Sequence, residues 1–220
     1  MRVVVAIDGP SGSGKSTVAR GVADALGLDV LDTGAMYRAV TLAALERGID
    51  PDDADACARV AGEVALEVGP AVLLDGQDVT TAIRGPTVTA SVSQVSAHPA
   101  VRRELVDRQR AWVATRAGGV IEGRDIGTVV FPDATVKVFL TASDEERARR
   151  RQLDERAADR QVDVDAVRED LARRDRKDSD RKTSPLRPAA HAVTIDTTGR
   201  PVADVVDEIV HLVAAATGEA

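Results

Sequence analysis

The run Gly9-Pro10-Ser11-Gly12-Ser13-Gly14-Lys15-Ser16, followed by Thr17, matches G-x-x-x-x-G-K-[ST] at every fixed position. The spelling has a chemical reason. Glycines let the backbone curl until successive N–H groups point inward at phosphate oxygens. A helix opening at Lys15 would add its positive N-terminal end to the same anion site. Lys15 supplies a mobile cation for the β- and γ-phosphates, and Ser16 offers a hydroxyl to Mg²⁺. A nucleoside triphosphate loop is therefore expected over Gly9–Thr17, with ATP as the ligand. No N-K-x-D guanine reader accompanies it, and the D-x-x-G string at Asp196–Gly199 reads as a turn near the C-terminus.

Other charged residues recur at spacings that could serve a second anion. Thr33, Tyr37 and Arg38 lie in Asp32-Thr33-Gly34-Ala35-Met36-Tyr37-Arg38, where Thr33 can cap a helix that carries Tyr37 and Arg38 on its first turns. Arg124 and Asp125 follow an apolar run, so they should sit at a strand end on the P-loop side of a parallel sheet. Arg174, Asp178 and Arg181 fall at i, i+4 and i+7, on one face of a continuous helix. Arg147, Arg150 and Arg151 share a face at i, i+3 and i+4. Each group taken alone is equally an ordinary capped helix, a structural Arg–Asp pair or a solvated ion-paired face. Beside a P-loop the balance changes. Two polyanions brought end to end repel by about 4 kcal/mol per charge pair at 4 Å and an effective dielectric near 20, so phosphate-to-phosphate transfer needs many cations.

The elements that must position these residues follow from hydrophobic period. Apolar runs at Val3–Ile7, Val30–Leu31, Val120–Glu122, Val136–Leu140 and Val193–Asp196 read as buried parallel strands. Helical patterns alternate with them over 15–26, 35–47, 52–64, 87–97, 101–117, 144–157, 164–176 and 202–215. This predicts an α/β fold of three layers, a P-loop kinase fold with a parallel five-stranded sheet. One stretch breaks the alternation. Leu66–Val68, Ala71–Asp75 and Val79–Thr81 look like short antiparallel strands joined by Gly-bearing turns. The domain organisation expected is one P-loop kinase domain over 1–220 with a small mostly antiparallel β insertion at 62–86 and a highly charged segment at 147–163 that reads equally as a solvated helix end.

Composition sets limits. The chain has 220 residues, of which 44% are hydrophobic but only 2% aromatic, so its core must be built from Val, Ala, Leu and Ile. A net charge of −7 argues against nucleic acid polymers as partners. The lone Cys57 allows no internal disulfide and reads as a small buried helix residue. His98, His191 and His211 are scattered, unlike metal ligands. No apolar run reaches bilayer length, and the N-terminus leads straight into a strand without a signal-peptide pattern, so a cytoplasmic, membrane-free monomer is expected.

Several strings together resemble the bacterial cytidylate kinases. They are G-P-S-G-S-G-K-S-T from Gly9, D-T-G-A-M-Y-R from Asp32, S-Q-V-S at Ser93–Ser96, G-R-D-I-G-T-V-V-F-P-D at Gly123–Asp133 and D-R-K-x-S-P-L at Asp180–Leu186. The resemblance, which runs from Val5 to about Asp196, implies that the insertion at 62–86 extends the acceptor region and that 147–163 is a mobile lid. It implies transfer of the γ-phosphate of ATP to CMP, dCMP and more weakly UMP, with Mg²⁺. It implies that Ser93, Arg102 and Asp125 read the cytosine, with Asp125 accepting from the exocyclic amine as carboxylates do from cytosine N4. The ribose would meet Tyr37, Arg174 and Asp178, and the acceptor phosphate Thr33, Arg38, Arg124 and Arg181. Arg147, Arg150 and Arg151 would belong to the lid over ATP, and Lys15, Arg124, Asp125 and Arg181 would carry the catalysis. Glu122 stands where many members have Asp, and Thr33 where some have Ser. Rival readings are a small P-loop kinase for another monophosphate or a metabolite, and a non-catalytic ATP-binding regulator.

Overall fold

The computed structural model describes residues 2–157, 162–181 and 183–218. The strands are β1 (Val3–Asp8), β2 (Val30–Asp32), β3 (Leu66–Val68), β4 (Val72–Leu74), β5 (Gln77–Asp78), β6 (Gly118–Gly123), β7 (Val136–Thr141) and β8 (Val193–Asp196). The helices are α1 (Lys15–Leu26), α2 (Thr33–Glu46), α3 (Ala54–Glu63), α4 (Pro86–Val95), α5 (Pro99–Ala114), α6 (Asp144–Ala157), α7 (Val164–Ser179) and α8 (Val202–Thr217). A five-stranded parallel sheet in the order β2-β6-β1-β7-β8 is flanked by helices, and a separate antiparallel sheet has the order β3-β4-β5. This is the α/β architecture expected from the alternation of patterns.

The chain divides into two compact units, residues 1–30 with 118–220, and residues 31–117. In the first, β1 pairs in parallel with β6 on one side and β7 on the other. Its core joins Val5 and Ile7 of β1, Val138 and Leu140 of β7 and Ile195 of β8 to Val18 and Val22 of α1 and Val205 and Ile209 of α8. Strands β1 and β7 are buried on both faces and read as apolar runs with little alternation, whereas β8, expected to be buried, is an edge strand that buries only Ile195. Fully burying each such side chain is worth about 1.5–3 kcal/mol, so β-branched aliphatics can replace aromatics as the source of core stability.

The second unit is helical apart from the antiparallel sheet. Buried residues of α2 include Ala39, Val40 and Ala44, and those of α5 include Val101 and Leu105. Small residues on α2 suit close helix packing. Cys57 is buried in α3, as its surroundings in sequence suggest. The helix starts are locally encoded: Asp32, Asp53 and Asp163 cap α2, α3 and α7 through their carboxylates, while α4 and α5 begin on proline.

Several details differ from the sequence reading. Asp32, not Thr33, caps α2; its Oδ1 accepts from the Ala35 N–H at 3.0 Å, and Thr33 is the first helical residue. The Asp carboxylate one position earlier already meets the orphan donor. The third antiparallel strand is Gln77–Asp78 rather than Val79–Thr81, because the turn at Asp75 and Gly76, both with positive φ, returns the chain at once. Helix α7 ends at Ser179, so Arg181 is not on its face as an i+7 position would require. Residues 158–161 of the lid expected over 147–163, and Lys182 of the Asp180–Leu186 string, lie outside the described residues.

Candidate active site

The phosphate loop leaves β1 after Asp8 and enters α1 at Lys15. Gly9 has φ 150°, and a Cβ there would lie 2.2 Å from the Leu140 carbonyl oxygen, so no side chain fits. Gly14 caps α1 in the left-handed region at φ 87°, a conformation costly to any residue with a Cβ. The Ser13 N–H donates to the Pro10 carbonyl at 3.4 Å, which closes the curl. Pro10, Ser11 and Gly12 are half-buried, Ser13 and Lys15 buried, and Thr17 exposed. The Lys15 ammonium donates to the Pro10 carbonyl at 2.7 Å, folded over the loop it would share with a triphosphate.

The Ser16 hydroxyl donates to Glu122 Oε2 at 2.9 Å. Glu122 is buried near the end of β6, beside β1 in register with Ile7. A hydroxyl and a carboxylate thus meet at the head of the P-loop helix, two hard oxygen donors of the kind that could hold a divalent cation. Glu122 was not singled out as a site residue in the sequence. Its signal was available: an acidic residue at the C-terminal end of a buried strand, on the edge of the sheet that carries the loop.

Asp8 was also missed. It is buried at the end of β1, and its two carboxylate oxygens accept from the N–H groups of Ile126 and Gly127, both at 2.8 Å. These open a π-helical turn over Ile126–Val130 directly after Arg124 and Asp125. The strand that launches the phosphate loop thus holds the segment bearing Arg124 and Asp125. Burial pushes the Asp8 carboxyl up to about 6, with the two backbone N–H groups acting in the opposite direction and the Asp125 charge adding to the rise. Asp125 is itself buried, and its carbonyl accepts from Val129 N at 2.9 Å.

A cluster of guanidinium groups centres on Asp178. Its Oδ2 accepts from Arg124 Nε at 3.2 Å and its Oδ1 from Arg181 Nη2 at 2.6 Å. Arg181 reaches this carboxylate from beyond the end of α7. Arg174, one turn before Asp178, leaves Nε and Nη1 buried without a hydrogen-bond partner. Burial pulls its pKa down, and the neighbouring Arg124 charge lowers it further. Arg124 and Arg181 share the Asp178 carboxylate and Arg174 keeps buried donors beside them, an arrangement that suits an incoming anion.

The arginines of α6 separate into different tasks. Arg147 is buried; it donates to the Ser11 carbonyl at 3.1 Å and pairs with Asp144 and Asp175. Burial works against its charge, but those two carboxylates outweigh it and the pKa is raised. Arg150 donates through Nε to Glu146 at 2.8 Å and through both terminal nitrogens to Thr197. Arg149 and Arg150 hold the Glu146 carboxyl down at about 2. Arg151 pairs with Glu155 at 2.5 Å. Arg147 and Arg150 therefore bear on the phosphate loop, while Arg151 serves an ion pair within its own helix.

The remaining predicted residues lie in the second unit. Tyr37, Thr33, Ser93 and Arg102 are all buried there. The Arg102 guanidinium lies 5.5 Å from the Tyr37 ring centroid and donates to the Ser96 carbonyl at 3.3 Å. Arg38 donates to the Ile83 carbonyl at 3.2 Å and to Thr89 Oγ1 at 2.9 Å. The Ser93 carbonyl accepts from Ser96 Oγ at 3.3 Å. Arg102 of α5 thus lies against the Tyr37 ring of α2, while Arg38 of α2 bonds Thr89 of α4.

Comparison with known proteins agrees with this chemistry. The family profile described as cytidylate kinase matches residues 5–215. A cytidylate kinase of Mycobacterium avium (strain 104) is 54% identical over 216 residues, covering 96% of this chain and 95% of the relative. One from Geobacillus kaustophilus (strain HTA426) is 49% identical over 217 residues, covering 96% of each. Among solved structures, a gluconokinase from Sinorhizobium meliloti 1021 aligns with a TM-score of 0.50 at 16% identity, covering 97% of this chain and 93% of that one, a likeness of fold alone. With a P-loop, a clustered arginine set and this degree of identity along nearly its whole length, the chain belongs to the cytidylate kinase family.

Proposed function

We propose that the chain transfers the γ-phosphate of ATP to CMP, and to dCMP and more weakly UMP, giving ADP and the nucleoside diphosphate. The observation that carries this reading is Asp178 holding Arg124 and Arg181, with Arg174 beside them, in the unit that bears the phosphate loop. A protein that only bound ATP would have no use for a second set of clustered guanidinium groups.

In this reading Gly9–Thr17 cradle the ATP phosphates through backbone N–H groups and the start of α1. Lys15 leaves the Pro10 carbonyl to neutralise charge at the β–γ bridge. Ser16 and Glu122 would hold Mg²⁺, which would offset charge on the phosphates. Arg124, Arg174 and Arg181 take the acceptor phosphate, joined by Arg38 and Thr33. Asp125, Ser93 and Arg102 read the cytosine, Asp125 accepting from its amino group; Tyr37, Arg174 and Asp178 serve the ribose. The attacking phosphate oxygen of CMP is already anionic, so no strong general base is required. Catalysis comes from in-line positioning and from cations placed where charge spreads in a loose transition state. Such a nucleotide kinase would act in the cytoplasm, where both substrates are held.

The test is ADP release from ATP against CMP, dCMP, UMP, AMP, GMP and shikimate, with Lys15→Ala as the disabled control. CMP should be the best acceptor and dCMP next. Lys15→Ala should lose at least about a thousandfold in kcat with its unfolding midpoint little changed. ADP release that no acceptor stimulates would point to a regulator, and a preference for AMP, GMP or shikimate would replace CMP as the substrate.

A further inference from the structure

The turn Asp196–Gly199, which the phosphate chemistry does not require, is built around one buried hydroxyl. Thr197 lies just past β8 and is 3% exposed. Its Oγ1 accepts from Arg150 Nη1 at 2.9 Å. The same oxygen is 3.1 Å from the Ser13 carbonyl and 3.0 Å from the Thr141 carbonyl, two acceptors that share its single proton. The Thr197 carbonyl accepts from Arg150 Nη2 at 2.8 Å, and its N–H donates to Thr141 O at 2.9 Å. The surrounding turn is pinned as well. Asp196 Oδ1 accepts from Thr198 N at 2.9 Å and Thr198 Oγ1 at 2.7 Å, and Thr198 Oγ1 accepts from Ser143 N at 2.9 Å.

One side chain therefore touches the middle of the phosphate loop, the end of β7 and the tip of an α6 arginine. The consequence is visible at Gly14, where an added Cβ would stand 3.3 Å from Arg150 Nη1. Glu146 holds the third edge of that guanidinium, so its plane is set from both sides. A planar fork fixed in advance loses less freedom when it meets a phosphate.

We propose that Thr197 is a positioning residue for ATP: its hydroxyl holds the Ser13 carbonyl of the phosphate loop and the Arg150 guanidinium in one arrangement, so that loop and arginine meet the triphosphate as a unit. The inference rests on the reading of Arg150 as an ATP ligand. Valine keeps the branched shape of threonine but strands the Ser13 carbonyl and one arginine donor, whereas serine keeps the hydroxyl.

The experiment is a double-mutant cycle of Thr197→Val and Arg150→Met, with Thr197→Ser alongside, measuring kcat and the two KM values under conditions where thermal unfolding shows each variant folded. Thr197→Val should raise KM for ATP about tenfold, the loss of one charge-assisted hydrogen bond, and leave KM for CMP within about twofold. Thr197→Ser should restore KM for ATP, which a role in packing alone would not. The double variant should be clearly less impaired than the product of the single effects. Equal rises in both KM values, failure of serine to rescue, or fully multiplicative effects would overturn the inference. An unchanged KM for ATP in Arg150→Met would instead remove the reading of Arg150 beneath it.

Discussion

Two groups of arginines, one in each unit, have different recorded partners. In the first, Arg124 and Arg181 meet Asp178, Arg147 meets Asp144 and Asp175, and Arg150 meets Glu146. In the second, Arg38 and Arg102 bond the carbonyls of Ile83 and Ser96, the Thr89 hydroxyl and the face of Tyr37. The difference has a physical reading. Where several guanidinium groups crowd one region, as around Asp178, their mutual repulsion in a low-dielectric setting must be offset by carboxylates before any substrate arrives. The arrangement around Asp178 is therefore sensitive to loss of that negative charge.

Asp178→Asn breaks the contrast most directly. It keeps shape and one acceptor but removes the negative charge beneath Arg124 and Arg181. Removing one member of a buried ion pair costs about 3–5 kcal/mol, and the amide should lose somewhat less, read as a lowered denaturant midpoint at unchanged m. Turnover should fall about a hundredfold. Unchanged stability would show that the arginines do not need their counter-charge and that the comparison is misdrawn.

Asp8 sharpens the contrast inside the first unit, since its hydrogen bonds come from neutral backbone donors and not from a guanidinium group. Its folded-state pKa, about 6, lies above the ordinary 3.8. The folded chain therefore binds this proton more tightly than the unfolded chain. The resulting stabilisation is fully present below about 4 and is lost as pH rises through 6, a tilt of roughly 3 kcal/mol. Comparing wild type with Asp8→Asn across pH 4–7 isolates the effect: the wild type should lose stability relative to the variant as pH rises. A flat difference would place the Asp8 pKa near that of an ordinary carboxyl.

Arg102→Met removes the hydrogen bond to the Ser96 carbonyl and the contact with Tyr37, and should cost less folding stability than Asp178→Asn. KM for CMP should rise about tenfold with KM for ATP unchanged. A stability loss as large as that of Asp178→Asn would erase the distinction between the two regions.

Much of this was legible in the chain itself, for local reasons. The phosphate loop needs Gly9 because the Leu140 carbonyl leaves no room for a Cβ and Gly14 because its left-handed φ strains any other residue, and such constraints are written residue by residue. Strand and helix periods announced the parallel sheet, since a strand buried on both faces must be apolar throughout. The helix spacing rule also led astray. Arg174, Asp178 and Arg181 were expected on one face, yet α7 stops at Ser179 and Arg181 returns to Asp178 from outside it. Within the set Arg147, Arg150 and Arg151, identical chemistry in one helix turn hid three different attachments.

The sequence alone determined the nucleotide loop, the alternating α/β order and the surplus of arginines, because each depends on neighbours within a few positions. Only the tertiary structure decided which carboxylate meets which arginine and which buried oxygen anchors which loop. Asp8 to Ile126, Ser16 to Glu122, Arg124 to Asp178 and Thr197 to Ser13 join residues more than fifty positions apart. A charge or hydroxyl carries no mark of its partner along the chain; the partner is chosen when strands pair and helices pack, and burial then makes the choice matter.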